Sequence, residues 1–271
     1  MSRNSTVGVF EYPLSPQARY GWGKPAHHGL LDVLAQGEKT YEAVVDMLLD
    51  HEDFLRRIPR DRSTDSVSWD NDYWCGLDAV VQYSFLARRR PALYMEVGSG
   101  FSTMFARRAV DDHGLPTKIL SIDPAPRADI DSLCDEVVRS PLESVDPELF
   151  SRLGPHDLLL IDGSHTAFMN SDTVCVFLDV LPTLAPGVLV GIDDIFLPWD
   201  YHPTWAGRWY GEQYLLASML LSGMKEWSVV FPAFYVTQES PLRHRFNPIW
   251  EIVEPLAGRY AMSFWMQRCD S

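Results

Sequence analysis

The sequence predicts an α/β fold: a doubly wound sheet of seven strands, mostly parallel with an antiparallel last strand, behind an N-terminal helical extension. Three observations predict it. Between residues 92 and 192, five short apolar runs alternate with segments of helical character, the pattern of β-α-β units that wind into a parallel sheet. The runs end in glycine or aspartate, and right-handed crossovers gather all such strand ends on one edge. Two later strand-like runs, 227–231 and 262–268, have no 15-residue helix between them, which fits an antiparallel finish.

The elements follow in order. Residues 1–29 are rich in glycine, proline and aromatics, including Tyr20-Gly21-Trp22-Gly23-Lys24-Pro25, and predict an ordered arm or lid. In 39–57, Tyr41, Val44, Val45, Leu48, Leu49 and Leu55 recur at helical spacing. Residues 59–71 are polar and irregular. A second helix is predicted over 72–89, with Leu77, Val80, Val81, Ser84 and Phe85 on one face. Arg88-Arg89-Arg90 suits its negative end as a solvated terminus, and Pro91 stops it. The chain thus divides into an arm and helix, 1–71, and a main domain, 72–271.

The first strand, 92–97, runs into Gly98-Ser99-Gly100 and a helix over 103–110, with Ser102 as its N-cap. The second, 118–123, ends in Asp123, and Pro124 and Pro126 keep that acid in a loop. Residues 129–136 read as helical, 136–139 as the third strand, and 144–153 as a short helix opened by Asp146-Pro147. The fourth strand, 156–162, is apolar until Asp162-Gly163-Ser164-His165, and a helix follows over 167–181, ended by Pro182. The fifth, 187–192, ends in Asp193-Asp194. A loop rich in proline and aromatics, Phe196 to Trp205, then forms a lid or wall. A helix spans 212–221, stopped by Gly223, and 233–237 extend the sixth strand past Pro232.

Composition narrows the functions. The 271 residues are 46% hydrophobic, enough for a full core. A net charge of −14, with a pI near 4.9, argues against nucleic-acid or anionic-membrane partners, which need a basic footprint. Cys75, Cys134, Cys175 and Cys269 are far apart and form no Cys-x-x-Cys, so they read as free thiols in a reducing compartment. With no signal pattern and no long apolar run, the expected location is cytoplasmic.

A strand, a glycine-rich turn and a helix form a nucleotide-cofactor cradle, because glycine lets a ligand approach where a Cβ would collide. Asp123, 23 residues beyond Gly100, is placed to accept the hydrogen bonds of a ribose diol. Glu96, Asp162, Asp193 and Asp194 all stand at strand ends, and such acids repel one another unless something positive lies between them.

Glu96-Val97-Gly98-Ser99-Gly100 resembles motif I, acid-x-Gly-x-Gly, of the class I S-adenosylmethionine (SAM) dependent methyltransferases. The resemblance covers roughly residues 72–268 and implies the Rossmann-like fold of that family, with strands 1, 4 and 5 adjacent. It assigns Glu96, Gly98, Ser99, Gly100, Ser102, Thr103, Asp123, Leu142 and Asp162 to SAM, and puts Trp74 and Asp78 on the cofactor side of the preceding helix. The acidic strand ends resemble those of metal-dependent, catechol-type O-methyltransferases. That likeness implies a divalent cation such as magnesium on Asp162, Asp193 and Asp194, since hard oxygen ligands suit such ions. Asp194 stands where those enzymes have asparagine, and His165 where they have a catalytic lysine. A related, poorly described branch carries Asp-x-Ser-His after strand 4. His165 is then the expected base, Asp194 the functional acid and His202 a second proton acceptor. The function implied is SAM-dependent O-methylation of a small-molecule hydroxyl, on a sugar or natural-product scaffold, with the oligomeric state open. The alternatives are a SAM-binding protein without turnover and, further off, a nicotinamide-dependent oxidoreductase. The latter's fingerprint wants a third glycine where this chain has Thr103.

Overall fold

A computed structural model describes residues 13–62, 67–74, 76–253 and 259–270. The first twelve residues of the aromatic arm, part of the irregular 59–71 stretch, and Cys75 lie outside the described residues.

Seven strands form one sheet: β1 (Leu93–Val97), β2 (Lys118–Ile122), β3 (Glu136–Val138), β4 (Leu158–Ile161), β5 (Leu189–Ile192), β6 (Trp227–Pro232) and β7 (Phe264–Arg268), in the order β3-β2-β1-β4-β5-β7-β6. The first five pair in parallel, and β7 runs antiparallel between β5 and β6. β1, β4 and β5 are buried along their whole length, as central parallel strands covered on both faces must be.

The register positions the site. Val97 pairs with Ile122 on one side and Ile161 on the other, and Ile161 pairs with Ile192. These four end one row across the sheet. The next residues, Asp123, Gly98, Asp162 and Asp193, therefore stand side by side on its carboxyl edge. Backbone bonds carry the ladder one step into that row: Gly98 N–H to Ile122 O at 3.0 Å, Asp162 N–H to Val97 O at 2.8 Å and Asp193 N–H to Ile161 O at 2.9 Å.

The N-terminal helices His28–Ala35 and Glu38–Leu49 share one apolar core with the sheet. Several local expectations are corrected. The helix expected over 39–57 breaks at Asp50-His51 and resumes as Glu52–Leu55. The helix expected from 72 starts at Gly76, because the Asn71 side chain accepts from the Tyr73 and Trp74 amides and holds a turn there. Only Asp131–Leu133 of 129–136 is helical, as one 3₁₀ turn. The helix over 167–181 begins at Asp172, since Ser171 Oγ caps the Val174 amide, and its second half is a π turn up to Val180. Residues Ala233–Gln238 form a helix rather than more strand; Pro232, which has no N–H to extend a ladder, marks the switch.

Candidate cofactor and active site

The glycine turn is fixed by close approach. Gly98 sits at φ +76°, and a Cβ there would lie 1.8 Å from the carbonyl oxygen of Asp162, so only glycine fits where β1 and β4 come together. Ser99 donates its amide to Asp123 Oδ2 at 2.8 Å, and Ser121 donates its hydroxyl to Ser99 Oγ at 2.8 Å. The other Asp123 oxygen accepts the Ala125 amide at 2.7 Å. Asp123 thus ties its own loop to the glycine turn while one edge of it lines the cleft.

The following helix spans Phe101–His113, with Gly100 at its N-cap position. Ser102 is not the cap and lies buried in the first turn. Thr103 does the capping: its Oγ1 accepts the Gly100 amide at 3.1 Å and donates to Glu96 Oε2 at 2.7 Å. Glu96 and Thr103 are fully buried behind the turn and form no part of the cleft wall, so they shape the glycine turn from behind. Burial pushes the Glu96 carboxyl up to about 8, so at neutral pH it is largely protonated and adds little charge to the site. Asp78 is also structural: its carboxylate accepts the Met262 and Ser263 amides at 2.7–3.0 Å.

The cleft itself has a volume of about 420 Å³. It runs from Leu142 and Glu143, past Asp123, to Ser99 and Asp162, and Phe168 closes the opposite side. A small chamber continues past Ser99 and Asp162 to Gly100, Ser102, Tyr73 and Trp74. Ser164 is latched to Asp172 by its amide, 2.6 Å, and its hydroxyl, 2.5 Å, which holds the loop after β4 open along the cleft.

Beside the cleft, His165 is enclosed by carboxylates. Its Nδ1 lies 2.9 Å from Glu212 Oε2, and its Nε2 lies 3.2 Å from Asp162 Oδ1 and 3.4 Å from Asp194 Oδ2. His165 and Asp194 both adopt left-handed backbone, φ +59° and +56°, which non-glycine residues hold only where surrounding structure enforces it. Burial alone would lower the histidine's pKa, but bonds to Asp162 and Glu212 and the nearby Asp194 charge outweigh it and hold it well above the usual value. With carboxylates at both nitrogens, the ring is an imidazolium with no lone pair to accept a proton. Asp194 is pushed up to about 6, chiefly by burial, with the His165 charge opposing the rise.

The expected metal set is not assembled either. The imidazole edge lies in the gap between Asp162 and Asp194, where a cation bridging them would sit. Asp193 is buried, shapes no part of the cleft, and has one oxygen, Oδ1, without a hydrogen-bond partner. Among the described residues, no three His, Cys, Asp or Glu side chains are arranged to hold a metal ion. The residues present do not fit a divalent cation.

His202 stands apart from the cleft. Its Nδ1 caps the 3₁₀ turn Pro203–Arg208 through Thr204, and its ring packs edge-on against Trp22 at 4.4 Å. It lines an aromatic pocket together with Tyr201, Trp205 and Tyr210. The lid loop is an aromatic cluster of Phe196, Tyr201 and Phe234 with Trp22, Trp199 and Trp205 against it. The arm is bound to this loop: Asp200 Oδ2 accepts the Arg19 and Tyr20 amides, and Trp22 Nε1 donates to the Asp200 carbonyl at 2.9 Å. Tyr210 links cluster and acids, with its ring 4.7 Å from that of His165.

Glu212 was not foreseeable. In the sequence it is an acid at the start of a helix, where such residues are common, and nothing marks it as the partner of His165. Arg127, in a bend of the loop after β2, carries no motif either.

A seven-stranded sheet in this order, with a glycine turn and a carboxylate side by side on its carboxyl edge, defines an α/β fold whose edge has room for a nucleotide cofactor. Residues 95–195, from β1 through the acids after β5, match the family model described as "Methyltransferase domain". That segment is thus similar to a methyltransferase domain. No curated protein sequence matches the chain. Among solved structures, it is similar to the SAH-bound methyltransferase PaMTH1 of Podospora anserina: 14% identity, 83% of this chain and 88% of that one, TM-score 0.43. It is similar to the O-methyltransferase TomG of Streptomyces achromogenes in complex with SAM: 14% identity, 84% and 90%, TM-score 0.36. A third is the Bacillus cereus O-methyltransferase in complex with SAH: 13% identity, 84% and 91%, TM-score 0.38. No helix among the described residues is long and apolar enough to cross a membrane.

Proposed function

We propose that this protein methylates a hydroxyl group of a small molecule, of sugar or natural-product type, with SAM as methyl donor and without a divalent metal. The observation that carries the reading is the row formed by Asp123, Gly98 and Asp162 along one cleft of about 420 Å³, inside the segment that matches the methyltransferase domain. Bound SAM supplies an electrophilic methyl on a sulfonium. The chain's own residues do the rest. Asp123 offers a carboxylate edge to a ribose diol, Leu142 an apolar wall to a base, and Asp162 a negative charge at the end of the cleft nearest the acids.

Methyl transfer depends mainly on holding an acceptor in line, with its proton removed. With carboxylates at both nitrogens of His165, Asp194 is the better-placed acceptor, and the His165 ring beside it holds it in position. Asp194, with a pKa of about 6, is still ionised at neutral pH and more basic than an ordinary carboxylate. The aromatic wall of Tyr201, Trp205 and Tyr210 offers rigid surface for the acceptor's body.

One observation favours a second reading, a SAM-binding protein without turnover: His165, the histidine beside the cleft among the described residues, is enclosed. The two separate in one series. Thermal shift with SAM, SAH and NAD identifies the cofactor. SAM consumption across a panel of hydroxylated acceptors then distinguishes enzyme from binder. Stabilisation by NAD alone would end both readings, and SAM binding with no turnover on any acceptor would favour the second.

A further inference from the structure

The walls of the cleft and its adjoining chamber are acidic. Asp123, Glu143, Asp162 and Asp172 all face this space, and the one cationic side chain among the described residues lining it is Arg127. Arg127 lines both the main cleft and the chamber beyond Ser99, so it stands where the two meet. Among the described residues it makes no ion pair. Its recorded contact is with a ring: its guanidinium lies 5.0 Å from the centroid of Tyr73, which stacks in turn on Phe101 at 6.0 Å. That stack braces the side chain against the helix start while leaving its N–H donors unpaired. On the other side there is room: a Cβ on Gly100 would meet nothing nearer than Arg127 Cβ at 4.0 Å.

An unpaired guanidinium in an acidic cleft points to an anionic group on the ligand. A sulfonium nucleoside that carries an amino acid has one such group, its α-carboxylate, and Asp162 on the same wall suits the neighbouring ammonium. We propose that Arg127, braced on Tyr73, binds the α-carboxylate of the cofactor's amino-acid tail and so orders the cofactor lengthwise in the cleft. This rests on the SAM reading above. The carboxylate end lies in the main cleft at Arg127, at the mouth of the small chamber, and the nucleoside end lies toward Asp123 and Leu142. The guanidinium's paired donors match a carboxylate's two oxygens, which a lysine would meet with a single point charge.

The experiment compares S-adenosylhomocysteine with its decarboxylated analogue, which lacks only that group, by calorimetric titration of the wild type, Arg127→Gln and Arg127→Lys. Arg127 is exposed, so the variants should keep the fold, and their melting curves check this. The expected result is that Arg127→Gln binds S-adenosylhomocysteine at least about tenfold more weakly, with the analogue's affinity unchanged. Arg127→Lys should recover part of the loss. Equal weakening of both ligands would make Arg127 a structural brace and overturn the proposal, as would undiminished binding of S-adenosylhomocysteine by Arg127→Gln. If the wild type binds neither nucleoside, the cofactor reading itself fails and takes this assignment with it, an outcome distinct from the other two.

Discussion

His165 and Glu212, 47 residues apart, are joined twice. The His165 carbonyl accepts the amides of Gly211 and Glu212 at 2.8 and 3.2 Å, and the His165 ring meets the Glu212 carboxylate at 2.9 Å. The backbone bonds cap the helix Glu212–Leu221 and so bring Glu212 to the ring. The side-chain bond then anchors the imidazolium's Nδ1, leaving Nε2 directed at Asp162 and Asp194. A helix start thus fixes the orientation of the His165 ring between these acids.

The first prediction follows from that enclosure. In His165→Ala, three carboxylates would face one another without a cation, and two of them are deeply buried. Breaking a buried pair by removing one partner costs about 3–5 kcal/mol. Urea unfolding should show a loss of that order. Glu212→Gln keeps a hydrogen-bonding partner and should cost less, about 1–2 kcal/mol. A His165→Ala protein as stable as the wild type would mean that the ring does not hold these acids together.

The pH dependence has a definite sign. The folded pKa of His165 is raised above its unfolded value of 6.5. Its stabilisation is therefore fully present below the unfolded pKa and is lost as pH rises through the folded one. Asp194, raised to about 6, acts in the same sense at lower pH: the folded state holds its proton more tightly, and that contribution is lost as pH rises through about 6. Comparing the melting temperatures of the wild type and His165→Asn above pH 7 isolates the histidine. The wild type's advantage should shrink steadily toward alkaline pH, and an advantage that grows there would contradict the imidazolium.

Much of this arrangement was legible in the sequence, and the reason is periodicity. Apolar runs located the strands to within one or two residues, and β-α-β alternation put their ends on one edge, so Gly98, Asp123 and Asp162 could be placed together. What the sequence could not show is where a side chain turns once it reaches that edge. Glu96 reads as a cofactor ligand because it precedes the glycines, but strand alternation points it into the core, to Thr103. His165 reads as a free base because it follows Asp162 by three residues. Only folding brings Glu212 to its far side. The helix expected from 167 starts late because Ser171 is the better cap, a local competition that apolar spacing does not register.

Asp123 should prove to have two functions that substitution can separate. Asp123→Asn keeps an oxygen for the Ser99 amide but loses the charge a ribose diol would meet, and a hydrogen bond to a charged group contributes about 1.5–3 kcal/mol. Affinity for S-adenosylhomocysteine should fall about tenfold, with little change in melting temperature. Asp123→Ala should lower both, since it also frees the glycine turn. Unaltered affinity in both variants would remove Asp123 from the cofactor site.

Divalent cations should have no effect on the wild type. The His165 edge fills the gap between Asp162 and Asp194, so magnesium or manganese should leave the melting temperature unchanged and EDTA should leave turnover unchanged. His165→Ala opens that gap, and manganese should then stabilise the variant. Stabilisation of the wild type by either ion would restore the metal-dependent reading.

The two glycines of the turn should fail in different ways. Gly98 has φ +76°, and the Cβ of an alanine would meet the Asp162 carbonyl at 1.8 Å, a backbone atom that cannot move without parting β1 from β4. Left-handed strain alone costs about 1–2 kcal/mol, and the collision adds to it by forcing the central strand pair apart. Gly98→Ala should therefore fail to fold or melt far below the wild type. Gly100 is extended, and its Cβ would have a clear 4.0 Å to the nearest atom outside the turn. Gly100→Ala should fold normally, because the Thr103 hydroxyl can still accept its amide. The new methyl would instead project into the space beside Arg127 that the cofactor reading fills, so its effect belongs in ligand affinity and not in unfolding. Melting curves with and without S-adenosylhomocysteine distinguish the two: a Gly100→Ala protein that melts normally yet no longer responds to the ligand is the expected result. If instead Gly100→Ala responds as the wild type does, the ligand does not approach the turn at that residue.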